Sequence, residues 1–294
     1  PPPHAPPPPS PFFFLMILRP PRSTLVRLSA ASDVYKRQEN KKALGIFVTA
    51  GDPNFESSMK LITNLPDNGA DFIEVGMPFS DPMADGPSIQ LSSQRALKSG
   101  MNIKKCLSLI KIFREKNSHT PIILMGYYNP IYKFGKEKFI KKCIEFGVDA
   151  LIIVDLPPEE DDEFYFEAEK NNLSMIRLVT PTTNEERLKK ILLNATGFVY
   201  YVSITGITGT QAPDVKSVQA NIKKIKQVTD LPIVIGFGIR SPAQATLMSK
   251  VSDGIVIGSA VVELIKKSID GEGVSGCEEL PPCLASVSYT HLPL

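Results

Sequence analysis

The chain has little net charge, few cysteines and no long hydrophobic run. Its 33 lysines and arginines nearly cancel its 31 aspartates and glutamates, leaving +2 over 294 residues. No basic stripe is interleaved with aromatics, which argues against a nucleic-acid partner. The four cysteines form no C-x-x-C pair: Cys106 and Cys143 stand singly in helix-like stretches, and Cys277 and Cys283 lie near the end. That spacing suggests neither a zinc site nor a redox dithiol, so no metal is expected. Isolated thiols fit a reducing compartment, the cytoplasm. The apolar run "PFFFLMIL" has eight residues, well short of the roughly 20 a spanning helix needs, so no membrane role is expected. No basic segment or Met start precedes it, as a signal peptide would require.

The two ends differ from the middle. Residues 1–38 open with a proline run that cannot join a packed core. Residues 271–294, with "GCEELPPCLASVSYTHLPL", show neither a helical nor a strand period. Both ends resemble translated sequencing-adapter read-through. They are expected to be non-native and disordered, flanking a barrel over residues 39–270.

The middle is repetitive. From residue 43 an apolar, β-branched run alternates with an amphipathic helical stretch. The first four runs are "ALGIFVTA" from Ala43, "ADFIEVG" from Ala70, "PIILMGY" from Pro121 and "ALIIVDL" from Ala150. Four more follow: "SMIRLVT" from Ser174, "GFVYYVS" from Gly197, "PIVIGFG" from Pro232 and "GIVIGSA" from Gly254. Their near-continuous apolar character suits strands covered on both faces. Gly69 and Gly147 sit where helices would end ahead of strands. Eight strands alternating with helices predict an α/β fold, the (β/α)8 TIM barrel. A doubly wound open sheet is the runner-up, but no G-x-G-x-x-G follows the first run, which argues against a dinucleotide-binding version. Only "VVELIKKSIDGEG" follows the last run, so the barrel is expected to lack its N-terminal helix and most of its last outer helix.

Barrel active sites lie at the C-terminal ends of the strands. Polar residues predicted there are Thr49, Asp52, Glu74, Asp81, Asp85, Tyr127, Asn129, Asp155 and Tyr200. Gly236, Gly238 and Gly258 let a ligand approach the backbone, and Ser259 opens a helix whose free N–H groups favour an anion. With Gly209 they outline a phosphate site, although such glycines can also merely relieve crowding. If Ile73 and Val75 face the helices, Glu74 points into the mouth, where an apolar floor would raise its pKa toward neutral. A structural ion pair is the alternative, but no basic residue lies at the end of the first run. Asp85 can serve as a loop cap, Asp155 can cap the following helix, and inward aromatics such as Tyr200 are commonly core.

Together "FVTAGDP", "IEVGMPFSDPMADGPSIQ", "LMGYYNPI", "DLPPEE", "GITGTQ", "GFGI" and "GSAVV" resemble the tryptophan synthase alpha subunit over about residues 40–268. The resemblance implies a cytoplasmic lyase of tryptophan biosynthesis. It would cleave indole-3-glycerol phosphate to indole and glyceraldehyde 3-phosphate by a retro-aldol-type step. It implies a beta-subunit partner in an alpha-beta-beta-alpha heterotetramer. No cofactor is implied in this chain, with pyridoxal phosphate only in the beta partner. By matching position, Glu74 is the acid/base, Asp85 holds the indole N–H, and Tyr200 is the active-site tyrosine. Phe47, Tyr127 and Phe237 match the indole pocket. Gly209, Gly238 and Ser259 match phosphate contacts, beside Gly258, and Thr208 matches a closing-loop threonine. Ile204 departs from some members, which carry a basic residue there. A stand-alone lyase releasing indole, and a non-catalytic activator of a beta subunit, are the alternatives.

Overall fold

Nine strands, all paired in parallel, carry the fold in a computed structural model that describes residues 42–203 and 214–271. They are β1 (Ala43–Thr49), β2 (Phe72–Gly76), β3 (Ile122–Gly126), β4 (Ala150–Ile153), β5 (Ser174–Met175), β6 (Arg177–Val179), β7 (Val199–Val202), β8 (Ile233–Gly236) and β9 (Gly254–Ile257). Their order across the sheet is β5-β4-β3-β2-β1-β9-β8-β7-β6. All eight expected runs are strands. The fifth is split at Ile176, because β5 pairs with β4 whereas β6 pairs with β7. The Ile176 N–H still reaches Leu151 O at 2.9 Å, so one stave hands the chain from one neighbour to the other and all but closes the barrel. The expected non-native ends lie outside the described residues, Gly271 excepted, as does any helix ahead of β1.

Side-chain alternation along each strand builds two separate cores. Ile46, Val48, Ile73, Val75, Leu124 and Leu151 face outward into the shell of helices. Phe72, Ile123, Met125, Ala150, Ile152, Ile176, Phe198, Tyr200, Val234 and Val256 fill the barrel interior. The interior aromatics need room, and glycines supply it. A Cβ at Gly45 would stand 2.3 Å from the Phe72 ring, and one at Gly76 would stand 2.5 Å from the Phe47 ring.

The helices around the staves are α1 (Phe55–Asn64), α2 (Pro87–Lys98), α3 (Ile103–Lys116), α4 (Tyr128–Phe134) and α5 (Lys136–Phe146). They continue with α6 (Asp162–Lys170), α7 (Glu185–Leu192), α8 (Val215–Lys226), α9 (Pro242–Ser249) and α10 (Ser259–Ile269). Short polar side chains start several of them: Asn54 accepts from Ser57 N–H at 2.9 Å, Asn102 from Lys105 N–H at 3.1 Å, and Asn184 from Arg187 N–H at 2.8 Å. Gly147 ends α5 in the left-handed conformation at φ 83°, and Gly69 does the same for the turn Pro66–Asn68 at φ 92°. An outer helix does follow the last strand. The eleven-residue α10 buries Val261, Val262 and Ile265 against β1 and α2, where the sequence left this layer thin.

The floor of the barrel repeats one device. Asp71, just ahead of β2, accepts the Leu44 N–H at 2.8 Å and returns its own N–H to Leu44 O at 2.8 Å. Asp149 does the same with Ile122 at 2.8 and 2.9 Å, and Asp253 with Ile233 at 2.8 and 2.9 Å. Thr196 supplies a hydroxyl in the corresponding place, accepting the Met175 N–H at 2.8 Å and donating its N–H to Met175 O at 3.1 Å. Each clamp binds an odd stave to the even stave beside it, so the floor is fastened four times over.

Candidate active site

Glu74 sits on the inner face of β2 between Phe72 and Gly76, while Ile73 and Val75 pack into the helical shell. That is the orientation expected from the sequence. The side chain is 0% exposed, and neither carboxylate oxygen has a hydrogen-bond partner. Burial drives its pKa from 4.5 to about 8. The Tyr200 hydroxyl is the polar group near enough to oppose that rise, without forming a full hydrogen bond. A buried carboxylate left without a partner costs stability, so its retention points to work done by its proton.

Tyr200 lies on the inner face of β7, buried against Phe198 and edge-on to Phe237, with ring centroids 5.9 Å apart. Burial first, and then the charge on Glu74, push its phenol well above the ordinary range. Its hydroxyl fills the space that a side chain at Gly236 would need, since a Cβ there would stand 2.0 Å away. Gly236 therefore relieves crowding and does not open the backbone to a ligand. Phe237, the next residue, adopts φ 70°, a strained left-handed conformation for a bulky side chain. The Ser203 hydroxyl holds that turn, lying 3.1 Å from Gly236 O and 2.7 Å from Phe237 O.

Asp85 and Tyr127 form a second group at the rim. The Tyr127 hydroxyl accepts the Ala84 N–H at 3.0 Å, and its ring packs on Phe79 at 5.4 Å. Burial raises the Asp85 pKa from 3.8 to about 6, and the neighbouring Tyr127 hydroxyl opposes the rise. Tyr127 is itself raised, by burial first and then by the Asp85 charge.

One recess brings most of the sequence-predicted residues together. Among the residues that line it are Phe47, Asp85, Tyr200, Phe237, Gly238, Gly258 and Ser259. Glu74 lies in the interior and is not part of the wall. Gly238 adopts φ 77°, a conformation that favours glycine, and a Cβ on Gly258 would press on Phe47 at 3.3 Å. Ser259 opens α10, so the free N–H groups of that helix start border the Gly238 and Gly258 corner. Thr208, Gly209 and Ile204 lie outside the described residues.

Other polar residues at the strand ends have structural duties. Asp52 takes a two-pronged ion pair from Arg95, both contacts at 2.7 Å. Thr49 is within 2.6 Å of the Ser92 hydroxyl. Asp155 accepts the Tyr128 N–H at 2.7 Å, so it caps α4 and not the helix that follows it in sequence. Among the described residues, no group of three or more His, Cys, Asp or Glu side chains could hold a metal ion. No helix among them is long and apolar enough to cross a membrane. Ser203 had no sequence signal beyond its position in the loop after the sixth run. Its partners lie 33 and 34 residues away.

The family model of the tryptophan synthase alpha chain matches residues 34–280. The tryptophan synthase subunit alpha of Legionella pneumophila str. Paris is 35% identical, with a TM-score of 0.80 over 88% of this chain and 96% of that one. A chain of the Mycobacterium tuberculosis tryptophan synthase is 30% identical, with a TM-score of 0.80 over 90% of this chain and 97% of that one.

Proposed function

The chain belongs to the tryptophan synthase alpha chain family, and on that premise we propose that its mouth cleaves indole-3-glycerol phosphate to indole and glyceraldehyde 3-phosphate. Membership makes it a lyase and the alpha subunit of tryptophan biosynthesis. The observation that carries the mechanism is Glu74, a buried carboxyl with both oxygens unpartnered and a pKa of about 8.

Near neutral pH that carboxyl holds a proton it can give. Glu74 protonates indole C3, making an indolenine cation whose charge rests on the ring nitrogen. Asp85, ionised above about 6, holds the ring N–H and stabilises that charge. The Glu74 carboxylate then takes the proton of the glycerol hydroxyl next to the bond. The carbon–carbon bond breaks, its electrons return to the ring, and a carbonyl forms on the leaving fragment. Phe47, Tyr127, Tyr200 and Phe237 enclose the indole. The phosphate takes the corner of Gly238, Gly258 and Ser259 at the start of α10, and Thr208 and Gly209 complete the enclosure by the resemblance.

In this reading the chain needs no cofactor and no metal, because every proton moves through a side chain. A beta subunit carrying pyridoxal phosphate receives the indole, in an alpha-beta-beta-alpha heterotetramer in the cytoplasm. A structure of Mycobacterium tuberculosis tryptophan synthase among the similar chains supports such a partner. The test is to incubate the chain with indole-3-glycerol phosphate, alone and with a beta subunit. Indole or tryptophan formed faster with the partner supports the reading. Cleavage at the same rate without it favours a stand-alone lyase, and beta activation without any cleavage favours a non-catalytic activator.

A further inference from the structure

One carboxylate oxygen outside the recess joins α2, α10 and the segment after β8, which each lead out of part of its lining. Glu263 Oε1, on α10, accepts from the Ser88 hydroxyl at 2.8 Å and from the Arg240 guanidinium at 3.2 Å. Ser88 is the second residue of α2, three after Asp85. Arg240 is two residues after Gly238, and its N–H is fixed to Gln244 Oε1 at 2.8 Å. Glu263 itself stands four residues after Ser259. The Asp85 end and the phosphate corner thus meet at one atom, although neither Ser88, Arg240 nor Glu263 lines the recess. Among the described residues no lysine or arginine lines it either, so the two ends of a bound substrate would be held by groups on separate segments whose spacing must come from elsewhere.

We propose that Glu263 is a positioning residue that sets the distance between Asp85 and the phosphate corner at Gly238 and Ser259. The inference rests on the lyase reading, which makes those two places the ends of one substrate. A ligand that spans both ends binds as two linked halves, and slack between the halves removes part of the advantage of linking them. A ligand that fills one end alone feels no slack.

The test is calorimetry on the chain carrying Glu74→Gln, so that substrate is not consumed. Indole-3-glycerol phosphate, indole and inorganic phosphate are titrated with and without Glu263→Ala. Glu263→Ala is expected to weaken indole-3-glycerol phosphate about fivefold, the worth of roughly one net hydrogen bond, while indole and phosphate alone bind as before. Glu263→Gln keeps an acceptor for Ser88 and restores most of the loss. In the otherwise unmodified enzyme, KM rises with Glu263→Ala more than kcat falls. Unchanged binding of the whole substrate overturns the proposal. So does equal weakening of all three ligands together with a lower melting temperature, which would mean local unfolding. If the unmodified chain binds indole-3-glycerol phosphate without cleaving it, the lyase reading fails, and the binding ratio still decides the role of Glu263.

Discussion

The floor and the mouth of this barrel use the same chemical group, a carboxyl, in opposite ways. At the floor, Asp149 is 1% exposed, yet it holds the Ile122 N–H and an ion pair with Arg114. Arg114 in turn donates to Gly147 O at 2.8 Å and Thr120 O at 2.7 Å. In the interior under the mouth, Glu74 is equally buried and both its oxygens are unpartnered. Folding tolerates a buried carboxylate when its lone pairs are filled, and that is what the floor does. Where they are left empty, the cost is borne for another reason. The strained φ of Phe237 belongs to the same end of the barrel.

The contrast can be broken first at its centre. Glu74→Gln keeps the shape of the interior and removes the acidic proton that the carboxyl can give and take back. Indole formation should fall at least about a hundredfold, with the fold and the melting curve retained, as expected for loss of a general acid/base.

Asp149→Ala should do the reverse. It strips Arg114 of its charge partner in a site where the arginine is only 7% exposed. Urea unfolding should show a loss of about 3–5 kcal/mol, as for a broken buried pair, with kcat per folded molecule unchanged. A smaller effect of the same kind is expected at Gly236→Ala, where the new Cβ would meet the Tyr200 hydroxyl at 2.0 Å. Overpacking of this sort costs about 1–3 kcal/mol. Because Tyr200 must move, activity should fall as well, which separates a mouth substitution from a floor substitution.

The pH dependence should divide along the same line. Glu74 must start protonated and Asp85 ionised, so cleavage should fall above about 8 and below about 6. Glu74 also leaves a mark on stability. A carboxyl whose pKa is raised on folding stabilises fully below its unfolded value of 4.5, and that stability drains as the pH climbs through about 8. Chemical unfolding at several pH values should show this slope in the wild type and its loss in Glu74→Gln. The smallest expected effect is Thr196→Ala on the floor, which removes one clamp bond and should cost about 1 kcal/mol with no change in the pH profile.

Much of this was legible in the sequence because it is periodic. The eight apolar runs mark the staves, and the alternation in "ADFIEVG" is enough to put Glu74 on the inner face. The split at Ile176 left no trace, since it arises from a change of pairing partner and not of residue type. The floor clamps recur as an aspartate just ahead of β2, β4 and β9, a short-range signal that is visible once its bonding is known. Contacts between segments distant in sequence left no such mark. Arg95 meets Asp52 across 43 residues and Ser88 meets Glu263 across 175, and nothing in local spacing encodes either. Glycines were the most ambiguous letters. Gly238 is favoured by its positive φ of 77°, whereas Gly236 makes room for a tyrosine ring.

The most direct measurement is the titration of the Glu74 carboxyl by carbon-13 NMR in the free protein, with Glu74→Gln used to assign the signal. An apparent pKa near 8 is expected, the mark of a buried carboxyl with no hydrogen-bond partner. A value near the ordinary 4.5 would mean that Glu74 is solvated or paired in solution, and the proton shuttle assigned to it would be wrong.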